Sequence, residues 1–109
     1  MPRTKELYQS IDAVNDTDAN GNPAGGYVNA KGLSIEWQNG PCPDGVEPNG
    51  AWVQTVIRAC IQRIEAYQNS KYKCRENALA ITKLEEAFLW LDYRAKRRMD
   101  RGVLGEHIE

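Results

Sequence analysis

From residue 51 onward the apolar positions fall into the step of a helix. Val53, Val56, Ile57, Cys60, Ile61, Ile64 and Tyr67 recur every three or four residues, the period of a helix that buries one stripe. The spacing predicts a first helix over residues 51–68, with Cys60 as a small residue of its packed stripe. Residues 69–74 break the pattern, and so short a connection makes its two flanking helices antiparallel neighbours. A second amphipathic helix then runs from residue 74 to about residue 101, its stripe formed by Ile81, Leu84, Phe88, Leu91 and Ala95. Leu79, Ala80, Ala87 and Trp90 widen that stripe beyond what one partner helix covers, which implies a second packed surface, either the upstream strands or another subunit. Gly102 follows the last periodic residue, where helices commonly end in a left-handed conformation.

Upstream the period changes to two. Leu33, Ile35 and Trp37 alternate with Ser34, Glu36 and Gln38, so residues 33–38 read as a strand with one apolar face. Residues 27–30 read as its hairpin partner across the Lys31–Gly32 turn. Residues 6–14 read as a third strand in preference to a short helix. Gly, Pro, Asn and Asp concentrate in the first fifty residues, while residues 51–101 contain neither Gly nor Pro. The composition therefore turns over near Asn49–Gly50. The expected fold class is α+β: an N-terminal antiparallel β-hairpin or small sheet over residues 1–50, followed by a C-terminal antiparallel helical hairpin over residues 51–109, together one compact domain.

A chain of 109 residues is long enough to fold without metals or disulfides. Its formal charge of −1 gives no global attraction to nucleic acid or membrane, but the sign is unevenly spread. Arg94, Lys96, Arg97, Arg98 and Arg101 stand against Asp100 alone, a local charge of +4. Three cysteines, Cys42, Cys60 and Cys74, form no close pair, which argues against a disulfide framework and for a reducing cytoplasm. No apolar run approaches the roughly 20 residues of a membrane span, and the first residues lack the apolar centre of a signal peptide.

Three motifs are better explained by structure than by chemistry. Asp16, Asp18, Asn20 and Gly21 imitate the start of a calcium loop, but Tyr27 stands where a bidentate Glu belongs. A turn stabilised by Asp and Asn side chains explains them better. Thiol catalysis would need a positioned base, and His107 is the single histidine. Wide spacing likewise argues against zinc on the three cysteines. No catalytic residue, metal or cofactor is expected.

The two ends of the second helix remain. Cations near a helix C-terminus complement its dipole, which explains one or two basic residues more easily than five in eight. Arg94 and Arg98 are one turn apart on one face, where two guanidinium forks can grip phosphate. At the other end Glu76 suits the positive helix start. Asn77 needs a partner, which the connecting loop can supply. Tyr67, at the end of the first helix, comes close to Asn77 across the connection, and an aromatic plane beside an amide is a common way to hold a purine.

These residues sit in segments that resemble a known family. Trp-Gln-Asn-Gly-Pro at 37–41, Asn-Gly at 49–50, Cys-Arg-Glu-Asn-Ala-Leu-Ala at 74–80, Leu-Glu-Glu-Ala at 84–87 and Arg-Gly-Val-Leu-Gly at 101–105 are similar to the phage Thoeris anti-defence sponges, which share a helical hairpin with the anti-CBASS cyclic-nucleotide sponge. The resemblance covers about residues 27–107 and implies a non-enzymatic protein that sequesters a cyclic ADP-ribose-type immune signal, glycocyclic ADP-ribose, in the cytoplasm of the infected bacterial host. It places the stacking aromatic on Tyr67, the base or ribose contact on Asn77 and the phosphate-gripping arginines on Arg94 and Arg98. Some members also hold CBASS cyclic oligonucleotides at a separate site near the Gly-Pro turn. This chain departs there, with Cys42 after Pro41, and departs again in the tail at Leu104, Glu106 and His107.

Geometry adds a constraint of its own. Asn77 and Arg94 are seventeen residues apart, roughly 25 Å along a helix at 1.5 Å per residue. A ligand of cyclic-dinucleotide size is shorter than that, so the expected assembly is a homodimer of antiparallel hairpins, extendable to a trimer of dimers. The alternative is a phage DNA-associated regulator using the basic helix end. The overall acidity and the lack of a helix-turn-helix pattern count against it.

Overall fold

The computed structural model describes residues 10–100, with side chains through residue 97. Its architecture is α+β: a three-stranded antiparallel sheet, order β1-β2-β3, followed by two helices. Compact packing divides the chain between Ala51 and Trp52 into a sheet unit and a helical unit.

Strands β1 (Asp12–Thr17), β2 (Pro23–Ala30) and β3 (Leu33–Glu36) follow one another by hairpins. The register sets Ala13 across from Val28 and Val28 across from Ile35, while Val14, Tyr27 and Glu36 align on the opposite face. One face is therefore mainly apolar and the other mixed, as alternation along a pleated strand requires. β1 begins later and ends later than the sequence pattern suggests. Residues 6–9 lie outside the described residues, and the polar Asn15, Asp16 and Thr17 are strand because backbone pairing with β2 outweighs their turn propensity.

The β1–β2 turn is built by Asp18. Its carboxylate accepts from the backbone N–H of Asn20 (2.8 Å) and Asn22 (3.0 Å), and Gly21 N–H donates to the Asp18 carbonyl at 3.0 Å. This is the side-chain-stabilised turn expected of that segment. Beyond it, two steps along β1 from Asn15 to Thr17 match three along β2 from Gly26 to Pro23, so β2 carries an extra residue in a bulge. Gly26 sits there at φ +131°, and a Cβ on it would collide with the Val14 carbonyl.

β3 ends at Glu36 rather than Gln38: Trp37 still donates its N–H to the Gly26 carbonyl at 3.0 Å, but its bridge partner is Ala51, in parallel. Ala51 N–H donates to Glu36 O at 2.7 Å, and Gln38 N–H donates to Ala51 O at 3.0 Å. Gly50 is needed for this close approach, since a Cβ there would lie 2.5 Å from the Trp37 carbonyl oxygen. The excursion between Gln38 and Asn49 is closed by side chains. Gln38 Oε1 accepts from Asn49 N–H (2.8 Å) and Gly50 N–H (3.3 Å), while the Asn49 amide exchanges two 2.8 Å bonds with the Asn39 backbone.

In the helical unit, α1 (Val53–Gln68) and α2 (Arg75–Asp100) pack against each other. Val56, Ile57, Ile61 and Ile64 of α1 and Ile81, Leu84, Phe88, Leu91 and Ala95 of α2 are half-buried along the seam. Cys60 is exposed, contrary to the sequence expectation. At 100° per residue it falls to one side of the line through Ile57, Ile61 and Ile64, on the edge shared with exposed Val53 and Tyr67. Among the described residues no side chain is fully buried.

The glycine geometry gives a direct test by urea denaturation. Gly26→Ala should lower unfolding free energy by about 2–3 kcal/mol, because backbone strain and a carbonyl clash add. Gly21→Ala, where φ is +82° with nothing near the added methyl, should cost only about 1 kcal/mol.

Candidate functional site

The turn between α1 and α2 is the most densely bonded part of the helical unit. Gln68 spans it with both ends of its amide: Cys74 N–H donates to Oε1 at 2.9 Å, and Nε2 donates to Cys74 O at 3.0 Å. Ser70 Oγ donates to the Tyr67 carbonyl at 2.6 Å and accepts from Tyr72 N–H at 3.1 Å. At the start of α2 the Cys74 sulfur accepts from Asn77 N–H at 3.4 Å, the place a Ser or Asp cap would occupy. Cys74 thus has a structural task.

Tyr67 and Asn77 both lie at this end of the hairpin. Tyr67 lies in the last turn of α1 and keeps 40% of its surface exposed. Asn77 is half-buried, and its Nδ2 donates to the Tyr72 carbonyl at 3.3 Å. Among the described residues nothing donates to Asn77 Oδ1. The amide therefore fastens the loop and still has acceptor capacity for a ligand.

Arg94 and Arg98 lie far along α2. Arg94 is exposed, and Arg98 is within the helix with its side chain outside the described set. At 1.5 Å per residue they stand roughly 25 Å and 32 Å from Asn77. One chain therefore has Tyr67 and Asn77 at the turn end of the hairpin and the two arginines at the far end of α2. Around the basic end, Lys96 pairs with Asp92 at 3.2 Å and the Arg97 guanidinium sits 5.8 Å from the centroid of the Tyr93 ring. Trp90 meets Tyr93 edge to face at 6.4 Å. Trp90 is 67% exposed, Leu89 64% and Tyr93 55%, so the outer face of α2 carries a contiguous apolar and aromatic patch.

Sequence reasoning missed Arg63. Its guanidinium lies 5.0 Å from the Tyr67 ring centroid, and its Nε–H donates to the Tyr67 hydroxyl at 3.1 Å. The four-residue spacing was a usable signal. Also missed was a shallow groove of about 340 Å³ on the sheet unit, lined by Asp16, Gly25, Tyr27, Glu36, Trp37 and Asn39 among others. It offers two carboxylates and, among the described residues, no cation. No cluster of three His, Cys, Asp or Glu side chains suited to a metal occurs among the described residues, and no described helix is long and apolar enough to cross a membrane.

Residues 30–96, covering β3, the clasped excursion and nearly all of both helices, match the Acb2/Tad1 hairpin domain. The chain belongs to the Acb2/Tad1 hairpin family. Within it, the chain is 45% identical over 74 residues to Thoeris anti-defense 1 of Bacillus phage SBSphiJ7, an alignment covering 68% of this chain and 51% of that relative. The chain thus spans about half the length of the curated relative it matches. The family match takes in Tyr67, Asn77 and Arg94, while Arg98 lies just beyond it.

The turn of this hairpin should depend on one amide. Gln68→Ala removes two hydrogen bonds and should lower stability by about 1–2 kcal/mol. Native-state hydrogen exchange at the Cys74 amide should accelerate about ten-fold or more, since the exchange rate follows the local opening equilibrium.

Proposed function

We propose that this chain is a phage anti-defence sponge that binds and sequesters a cyclic ADP-ribose-type immune signal, glycocyclic ADP-ribose, without cleaving it, in the cytoplasm of the infected bacterial host. Membership of the Acb2/Tad1 hairpin family and likeness to a protein named Thoeris anti-defense 1 support the reading. The observation that carries it in the molecule is the separation of Tyr67 on α1 and Asn77 at the start of α2 from the basic far end of α2. Tyr67 offers a ring to a base, Asn77 an acceptor to a base or ribose, and Arg94 and Arg98 offer charge to a pyrophosphate.

Because the two ends are roughly 25 Å apart, the pocket is built between two copies. In an antiparallel pair related by a two-fold axis near Glu86, the basic end of α2 in one copy lies level with the Tyr67–Asn77 end of the other. The same pairing sets Leu79 against Tyr93 across the axis, covering residues that one chain leaves exposed. The assembly is a homodimer with two equivalent pockets, and three dimers can associate further. Enclosure between copies slows release, and arginine contacts compensate the pyrophosphate as water leaves.

A separate site for CBASS cyclic oligonucleotides near Gly40–Pro41 is less favoured. The adjoining groove presents Asp16 and Glu36 and no described cation, so phosphates would depend on charge from other copies. The alternative as a DNA-associated regulator is weakened by the engagement of Lys96 with Asp92. Steeply salt-dependent duplex binding would favour it.

Incubation with glycocyclic ADP-ribose followed by heat denaturation should return the nucleotide unaltered. Degraded nucleotide would make the protein an enzyme. Asn77→Ala and Arg94→Ala should each weaken capture by about 10- to 100-fold, as expected for losing a hydrogen bond to a charged or enclosed group. Both should leave the dimer intact in sedimentation, and wild-type affinity in both would remove these site assignments.

A further inference from the structure

We propose that Arg63 is the positioning residue for Tyr67: it covers one face of the ring and fixes the hydroxyl, so that the opposite face is presented as an ordered platform for the flat base of an anionic nucleotide. The proposal rests on the nucleotide-binding reading of the site and adds a residue to it.

Two independent contacts tie this pair. The guanidinium carbon stands 5.0 Å from the ring centroid, within the distance at which a cation is attracted to an aromatic face. The Nε–H donates to the phenol oxygen at 3.1 Å, which restrains the ring about the side-chain bonds that stacking alone leaves loose. Arg63 is not explained by the helix dipole, since no basic residue lies in the last turn of α1. It forms no carboxylate pair among the described residues, so its charge is not spent on an ion pair. The Tyr67 backbone is held as well, through the Ser70 hydroxyl on its carbonyl. An exposed aromatic that is ordered beforehand loses less freedom when a ligand arrives. The guanidinium also sets positive charge behind the ring, which suits an anionic ligand.

The Nε bond separates positioning from simple charge. Arg63→Lys keeps the charge and loses the Nε donor, while Tyr67→Phe keeps the ring and loses the acceptor. Glycocyclic ADP-ribose affinity, measured calorimetrically on the full chain, should fall about five-fold in each single variant and by no more than that in the double variant, because both remove one bond. All three should keep the wild-type melting temperature, since the pair lies on an exposed helix face. Without any ligand, the Arg63 Nε–H resonance should shift on Tyr67→Phe. Wild-type affinity in Arg63→Lys, losses that multiply in the double variant, or an unmoved resonance would each overturn the role of Arg63 while leaving nucleotide capture standing. A wild-type chain that ignores the nucleotide while the resonance still shifts would instead overturn the reading of the site, and the platform with it.

Discussion

Two helices lying side by side can shield only the stripe that each turns toward the other. In this chain the seam holds Val56, Ile57, Ile61 and Ile64 against Ile81, Leu84, Phe88 and Leu91, and even these remain half-buried. Complete burial of such a side chain is worth about 1.5–3 kcal/mol, so a seam left half open realises only part of what the sequence carries. The unrealised part lies on the outer face of α2, where Leu79, Leu89, Trp90 and Tyr93 are exposed. A patch of that kind is covered by association in most soluble proteins. That exposed face is what the proposed pairing of two copies would cover.

The hairpin turn is fastened by side chains. Helix ends leave backbone groups without partners, and at the turn several backbone groups are met by side chains: Gln68 on both sides of Cys74, Ser70 between Tyr67 and Tyr72, the Cys74 sulfur on Asn77. The start of α1 contrasts with this. Trp52 offers its carbonyl to Thr55 and Val56 but no side-chain cap. Side-chain hydrogen bonds are concentrated at the end that carries Tyr67 and Asn77, and Gln68, Ser70 and Cys74 supply most of them.

How much was legible in the sequence followed the strength of each period. Seven apolar positions at helical steps located α1 to within two residues, and the Lys31–Gly32 hairpin was plain because its turn chemistry and alternation agree. β1 was displaced because Asn15, Asp16 and Thr17 read as turn residues, and strand pairing is a non-local contact that local propensity does not carry. Cys60 was misjudged for a different reason: a three-or-four step counts it in the stripe, whereas its angle around the helix puts it at the edge. Arg63 was missed although its four-residue spacing from Tyr67 was readable, because the apolar period draws attention to the buried stripe and not to pairs on the polar face. The sheet groove joins residues from both ends of a clasped excursion, and the pairing of Trp37 with Ala51 together with the Gln38 and Asn39 bonds to Asn49 brings that residue back to it.

The length of α2 has a thermodynamic consequence. Its 26 residues make a rod of roughly 39 Å, and the residues suited to a base and those suited to phosphate occupy opposite portions of it. A pocket that draws on both portions needs two chains, which makes assembly and capture a single linked equilibrium. Whatever the nucleotide gains from the second copy, it must return as stabilisation of the pair, and by the same factor. In the proposed pair the exposed patch would serve capture indirectly, because every apolar contact across the two-fold axis would raise the fraction of chains already holding a complete pocket. Affinity for the proposed ligand would then be set in part by residues that never touch it.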